Sequence, residues 1–147
     1  MKKLYLHVEA VLQSEYEYLM EELIGNKNKQ EFDDLIAVVD SDSMPSDDKA
    51  KVLYALARWC DKTAVPVIAK ALTDLSEVCR VSAVDALSRL ESKQSLETIM
   101  ALSKDESTYV RKFVAQSLVK LKKAEASTLL KSMKAKEKVD FLRQAIE

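Results

Sequence analysis

The chain resembles itself at a spacing of 31 residues, and that repeat constrains its fold more than any other feature. Asp74, Arg80, Leu87 and Leu90 are matched by Asp105, Arg111, Leu118 and Leu121, every pair 31 apart, and Ile68 is matched in the same way by Ile99. One step back from Leu87 and Leu90 stand Leu56 and Trp59, with Val52 under Ala83 and Lys49 under Arg80. A unit recurring at this period cannot bury its apolar face alone; stacked neighbours supply the core. One Gly and two Pro in 147 residues leave almost no turn chemistry for hairpins or βαβ loops, so the unit must be helical. The expected fold is all-α: a right-handed α-solenoid of about four helix pairs, one domain over residues 1–147.

Apolar spacing and end signals divide that domain. A first helix is expected within residues 1–26, where Leu4, Val8, Val11, Leu12, Leu19 and Leu23 fall at helical intervals before a Gly25-Asn26 C-cap. It lies outside the period. Three repeats follow over 31–60, 63–90 and 94–122, each a helix pair, with Pro66 near the start of its helix and Ser46 and Ser107 as N-caps of second helices. Residues 124–147 keep Leu130 and Met133 in register with Ile99 and Leu102 but have no Asp or Arg in step, as expected of a degenerate terminal cap.

The formal net charge is −1, which gives no support to wholesale polyanion binding, but the charge is unevenly spread. Residues 1–102 hold 12 Lys or Arg against 18 Asp or Glu, and residues 103–147 hold 11 against 6, so one end is acidic and the other basic. No stretch approaches the roughly 20 consecutive apolar residues of a membrane span, and the first residues are too acidic and interrupted for a signal peptide. The expected location is cytoplasmic. Cys60 and Cys79 have no metal-ligand spacing and read as buried free thiols.

The strings KALTDLSEVCRVSAVDALSRL and MALSKDESTYVRKFVAQSLVKL resemble HEAT repeats of the short bacterial type named after phycobilisome lyases. In that family an Asp closes the first helix of a pair and an Arg opens the second; here those positions are Asp74 with Arg80 and Asp105 with Val110-Arg111. In the first repeat Ser43 and Lys49 take their place. The resemblance implies the solenoid and leaves function open, because the repeat serves scaffolds, enzyme subunits, immunity proteins and a few enzymes alike.

Asp74, Arg80, Asp105 and Arg111 could form an acid–base or anion site, or a structural ladder that ties interhelical turns to helices. Repetition of one charged pair in successive units is the mark of a packing device, and the ladder is the reading adopted. The working surface is then sought on the second helices. If Val52, Leu53, Leu56 and Trp59 face the core, Lys51, Tyr54 and Arg58 lie opposite, and steps of 31 add Ser82, Asp85 and Arg89, then Phe113, Gln116 and Lys120. These nine are the candidate partner-binding residues, and the resemblance places them on a concave face. Tyr54 and Phe113 would be apolar anchors; Arg58, Arg89 and Lys120 would be a basic rib for acidic groups.

Enzyme chemistry finds little foothold. The HEAT-type iron hydroxylases hold metal with repeated His-Glu pairs, whereas the single histidine here, His7, precedes Val8, so neither metal nor cofactor is expected. There is no Gly-rich phosphate loop and no recognisable nucleophile setting. The expected function is a non-enzymatic module that holds a partner protein, itself monomeric or weakly self-associating, with no membrane role. Alternatives are an immunity or antitoxin-type inhibitor of a toxin, or a phycobilin-lyase-like subunit. Nucleic-acid binding of the HEAT-like DNA-glycosylase kind ranks lower: it rests on the basic C-terminal third and would need Trp59 outside the core.

Overall fold

Short polar side chains at the helix starts set the boundaries of this chain. The computed structural model describes residues 29–41, 44–59, 61–121 and 124–137. The helix expected over 1–26, His7, Cys60, and the part of the cap beyond 137 lie outside the described residues. Within them the helices are α1 (Lys29–Asp40), α2 (Ser46–Trp59), α3 (Val65–Lys70), α4 (Glu77–Leu90), α5 (Lys93–Ala101), α6 (Thr108–Leu121) and α7 (Ala124–Lys136). Short 3-10 turns precede and follow α3, at Lys62–Ala64 and Ala71–Thr73, and another follows α5 at Leu102–Lys104.

The caps explain the boundaries. Ser76 Oγ accepts from the Cys79 N–H at the start of α4, and Ser92 Oγ accepts from Ser95 at the start of α5. Ser107 Oγ accepts from the N–H groups of Tyr109 and Val110 at the start of α6. Each hydroxyl satisfies a donor that the first helical turn leaves open. Ser46 departs from expectation. It is the first residue of α2, the Asp48 and Lys49 N–H groups bond the Pro45 carbonyl, and the Ser46 hydroxyl donates instead to Asp74 at 2.6 Å. An ionised carboxylate from the next repeat is a stronger partner than a neutral amide.

The first helices of the pairs are shorter than their apolar spacing suggests. Asp61 accepts from the Thr63 N–H at 2.9 Å and the Thr63 hydroxyl at 2.7 Å, holding that segment in a 3-10 turn before Pro66 enters α3. At the other end Asp74 N–H reaches Ala71 O, and one repeat on Asp105 N–H reaches Leu102 O, so both helices tighten to i→i+3 bonding in their last turn.

Helices α2, α4 and α6 pack side by side as one row, with α1, α3 and α5 as the other, and α7 follows α6. The core lies between the rows. Its fully buried side chains include Leu53, Leu56, Ile68, Leu87, Ile99 and Leu118, among them the period partners Leu56/Leu87/Leu118 and Ile68/Ile99. Removing each from water stabilises the fold by about 1.5–3 kcal/mol. Ala55, Ala86 and Ser117, buried and also 31 apart, keep the facing surfaces of the second helices small enough for close approach. Trp59 is buried and lies against Phe32 with ring centroids 5.4 Å apart at 49°. A tilted aromatic pair of that kind seals the first repeat.

Candidate partner-binding face and the charged ladder

The nine residues of the candidate face divide by helix. On α2, Lys51 and Tyr54 are exposed, Tyr54 at 39%, and Arg58 is half-buried. Arg58 Nη1 donates to Tyr54 Oη at 2.8 Å while its guanidinium carbon sits 5.4 Å from the ring centroid. The cation thus covers the ring and bonds its hydroxyl. Lys51 lies 3.5 Å from Asp48. On α4, Ser82 and Asp85 are half-buried and Arg89 donates through Nε to Asp85 at 2.9 Å. On α6, Gln116 and Lys120 are exposed, and Lys120 has no ion-pair partner among the described residues.

One expectation changes here. Phe113, expected outward as an anchor, is half-buried and packs against the core. It has no hydroxyl to keep wet, and burial of the ring outweighs the outward register that the repeat assigns it. The basic rib carries intrahelical contacts of its own. Arg58 and Arg89 are each engaged by the residue one turn earlier on their own helix, Tyr54 and Asp85.

The ladder residues meet across repeats. Arg80 is buried and donates from Nε and Nη2 to Asp105 at 3.0 and 3.1 Å, a two-pronged bond, while its Nη1 donates to the carbonyls of Asp74 and Leu75 at 2.9 and 3.1 Å. Arg111 repeats the scheme, bonding the carbonyls of Asp105 and Glu106 and reaching Glu137 at 3.0 Å. Each arginine therefore fastens its own turn through carbonyls and the following repeat through a carboxylate. Asp74 and Asp105 also accept from the N–H two residues on, at Ser76 and Ser107. Glu137 was missed in the sequence because it stands 26 residues after Arg111, whereas Asp105 stands 25 after Arg80. A search allowing one residue of slip would have found it.

Electrostatics follow from these contacts. The bond to Asp105 holds Arg80 still more firmly protonated. Burial works against the Asp74 charge, yet the Ser46 hydroxyl, the Ser76 N–H and Lys49 outweigh it and hold the carboxyl below the ordinary range. Burial and the neighbouring Asp74 push the Cys79 thiol up to about 12, so this free cysteine is not a nucleophile.

Two clefts flank the ladder. One of about 340 Å³ lies among Asp105, Arg111, Leu129, Met133 and Glu137, and one of about 270 Å³ among Lys49, Val67, Lys70, Ala71 and Asp74. They are the same place two repeats apart, since Arg111, Leu129 and Met133 correspond to Lys49, Val67 and Ala71 at twice 31. Among the described residues no group of three or more His, Cys, Asp or Glu is placed to hold a metal. No described helix is long and apolar enough to cross a membrane.

Helix pairs stacked in register, with a cross-repeat ladder at their turns, define an α-solenoid. The sequence profile of HEAT repeats matches residues 73–147, and the chain belongs to the HEAT-repeat family. Among solved structures, a chain of the complex of CpcE and CpcF of phycocyanin lyase from Nostoc sp. PCC7120 is similar, with a TM-score of 0.77 at 22% identity over 95% of this chain and 94% of that one. That likeness is one of fold. No curated protein matches the sequence.

Proposed function

We propose that the chain is a non-enzymatic interaction module whose partner protein seats an acidic segment on the outward face of α2, α4 and α6. The observation that carries this reading is the Tyr54–Arg58 platform, a partly exposed ring with a guanidinium over it, continued along the row by Arg89 and by exposed Lys120. Aromatic and arginine side chains at such a spot have the composition of a binding hot spot. Trp59, buried against Phe32, is not offered to a nucleic-acid base. The free thiol of Cys79 suits a reducing compartment, and we place the protein in the cytoplasm.

A second reading is favoured by the fold likeness, which spans nearly the whole of both chains: a subunit of a phycobilin-lyase-like pair, working beside a second solenoid. Affinity capture from the source lysate, nuclease-treated, with wild type beside Arg58→Glu/Arg89→Glu/Lys120→Glu tests both. The expected result is a protein retained by wild type and lost by the variant at unchanged helicity; a second HEAT-repeat chain in that band selects the paired-subunit reading. Equal capture by both proteins, or capture abolished by nuclease alone, defeats the assignment.

A further inference from the structure

The edge where the second helices begin carries apolar surface that the core does not use. Leu75 is 98% exposed, Val78 55% and Tyr109 59%. Val78 and Tyr109 are the second residues of α4 and α6, 31 apart and therefore neighbours across adjacent helices; Leu75 stands three residues before Val78 in the turn that opens α4. The starts of these helices touch, because the Ser107 hydroxyl donates to the Glu77 carboxylate. Together the three side chains expose apolar surface on the order of a few hundred Å², comparable to the largest apolar patch of a typical monomer, which is often functional.

The turn bearing Leu75 is fixed. Arg80 bonds the carbonyls of Asp74 and Leu75, and the Asp74 carboxylate holds the Ser76 N–H at 2.8 Å. A leucine presented on such a backbone loses little freedom when a partner covers it. Carboxylates dominate its rim, and two lysines stand near it in sequence, half-buried Lys112 one turn after Tyr109 and exposed Lys104 two residues before Glu106. Asp47 occupies the Val78 position one repeat earlier, Glu106 the Leu75 position one repeat later, and Glu77 lies between; all three are exposed. Glu106 approaches Arg80 only to 3.9 Å and its side chain is 91% exposed. The arginines of this edge face inward, Arg80 to Asp105 and Arg111 to Glu137. An apolar centre with a carboxylate rim is complementary to cations flanking hydrophobic side chains.

We propose that this edge is a second docking surface, occupied by a segment of another protein in which apolar residues alternate with lysine or arginine. It lies at the N-terminal ends of the helices whose later turns carry the basic rib, and it calls for the opposite charge in its partner. The two surfaces therefore stand or fall separately.

The test is selection of short random peptides on the full chain, followed by titration of the enriched peptides against wild type, Leu75→Ser/Tyr109→Ser and Arg58→Glu/Arg89→Glu/Lys120→Glu. The expected peptides combine apolar and basic residues, lose about tenfold or more in affinity on Leu75→Ser/Tyr109→Ser, and are unaffected by the rib variant. Circular dichroism and melting of the serine variant should match wild type, since both side chains are exposed. Failure to enrich any peptide, enrichment without basic–apolar composition, or equal affinity for the serine variant overturns the proposal. Sedimentation supplies the remaining arm: a wild-type dimer abolished by Leu75→Ser/Tyr109→Ser assigns the edge to a second copy of this chain and overturns it as well.

Discussion

Arg80 shows how a residue in this fold is read wrongly from its nearest neighbour in sequence. Asp74, six residues earlier, is the carboxylate that the motif pairs with it, but in the structure that side chain turns to Ser46 and to the Ser76 N–H, and Arg80 takes Asp105. Both Asp74 and Asp105 hold the N–H two residues on, and each aspartate's further partner comes from the preceding repeat, Ser46 for Asp74 and Arg80 for Asp105. The Arg80–Asp105 pair is about nine-tenths buried on both sides, so Arg80→Ala, which strands a buried carboxylate, is expected to cost about 3–5 kcal/mol. Arg111→Ala strands Glu137, whose side chain is as buried as that of Asp105, and should cost a similar amount. Urea unfolding of the two variants measures both losses, and a near-neutral result for either would contradict the burial argument. Asp74 adds a pH dependence. Its folded pKa is lowered, so its contribution is present above the unfolded value of about 3.9 and is lost as pH falls through the folded one. Ser46→Ala removes a donor to the charged form and should move the Asp74 titration back upward, read by carboxyl NMR; an unmoved titration would assign the effect to Ser76 and Lys49. Cys79, with its thiol pushed up to about 12, should resist alkylation at neutral pH until the chain is unfolded, as peptide mapping after iodoacetamide would show.

Among the elements, α4 ends in a way composition hides. Glu91 follows its last residue with φ 48° and ψ 35°, a left-handed conformation, and it is the sole described residue other than glycine with positive φ. Helices usually hand that position to Gly or Asn, so the end of α4 had to be read from its loss of apolar spacing alone. The left-handed region costs a side-chain-bearing residue about 1–2 kcal/mol, and the Glu91→Gly chain should be more stable by roughly 1 kcal/mol. A thermal melt decides, with no gain in midpoint counting against a strained cap. The 3-10 segments around α3 escaped sequence reading for a related reason: Ile68 and Leu72 keep helical spacing whether the last turn closes at i+3 or i+4. Phe113 is the failure at the candidate site. At its register Lys51, two repeats earlier, is exposed, whereas Ser82 and Phe113 are half-buried, and Phe113 packs against the core.

For the whole molecule, the 31-residue period made the helix pairs, the core and the homologous surface positions legible together, because one spacing fixes all of them once the units stack in register. Side-chain destinations at the turns were not legible, since they depend on which repeat a carboxylate faces. Trp59 packs on Phe32 within the first repeat, and Trp59→Ala should cost about 3–5 kcal/mol in a denaturant titration. A near-neutral result would put that ring at the surface and reopen nucleic-acid binding.

Because each arginine reaches forward to the acid of the next unit, the stack has a growth rule. A second copy of residues 74–104, inserted after Lys104, would give the first Arg80 a new Asp74 at the same spacing of 25 and leave the second Arg80 its Asp105. Duplication of a single 31-residue stretch thus reproduces every link without inventing one, while an insertion far from a whole number of repeats severs the chain of contacts at its seam. The ladder is, in that sense, a template for lengthening: it lets an ancestor acquire another turn of surface by copying error alone, and it penalises copies made out of step.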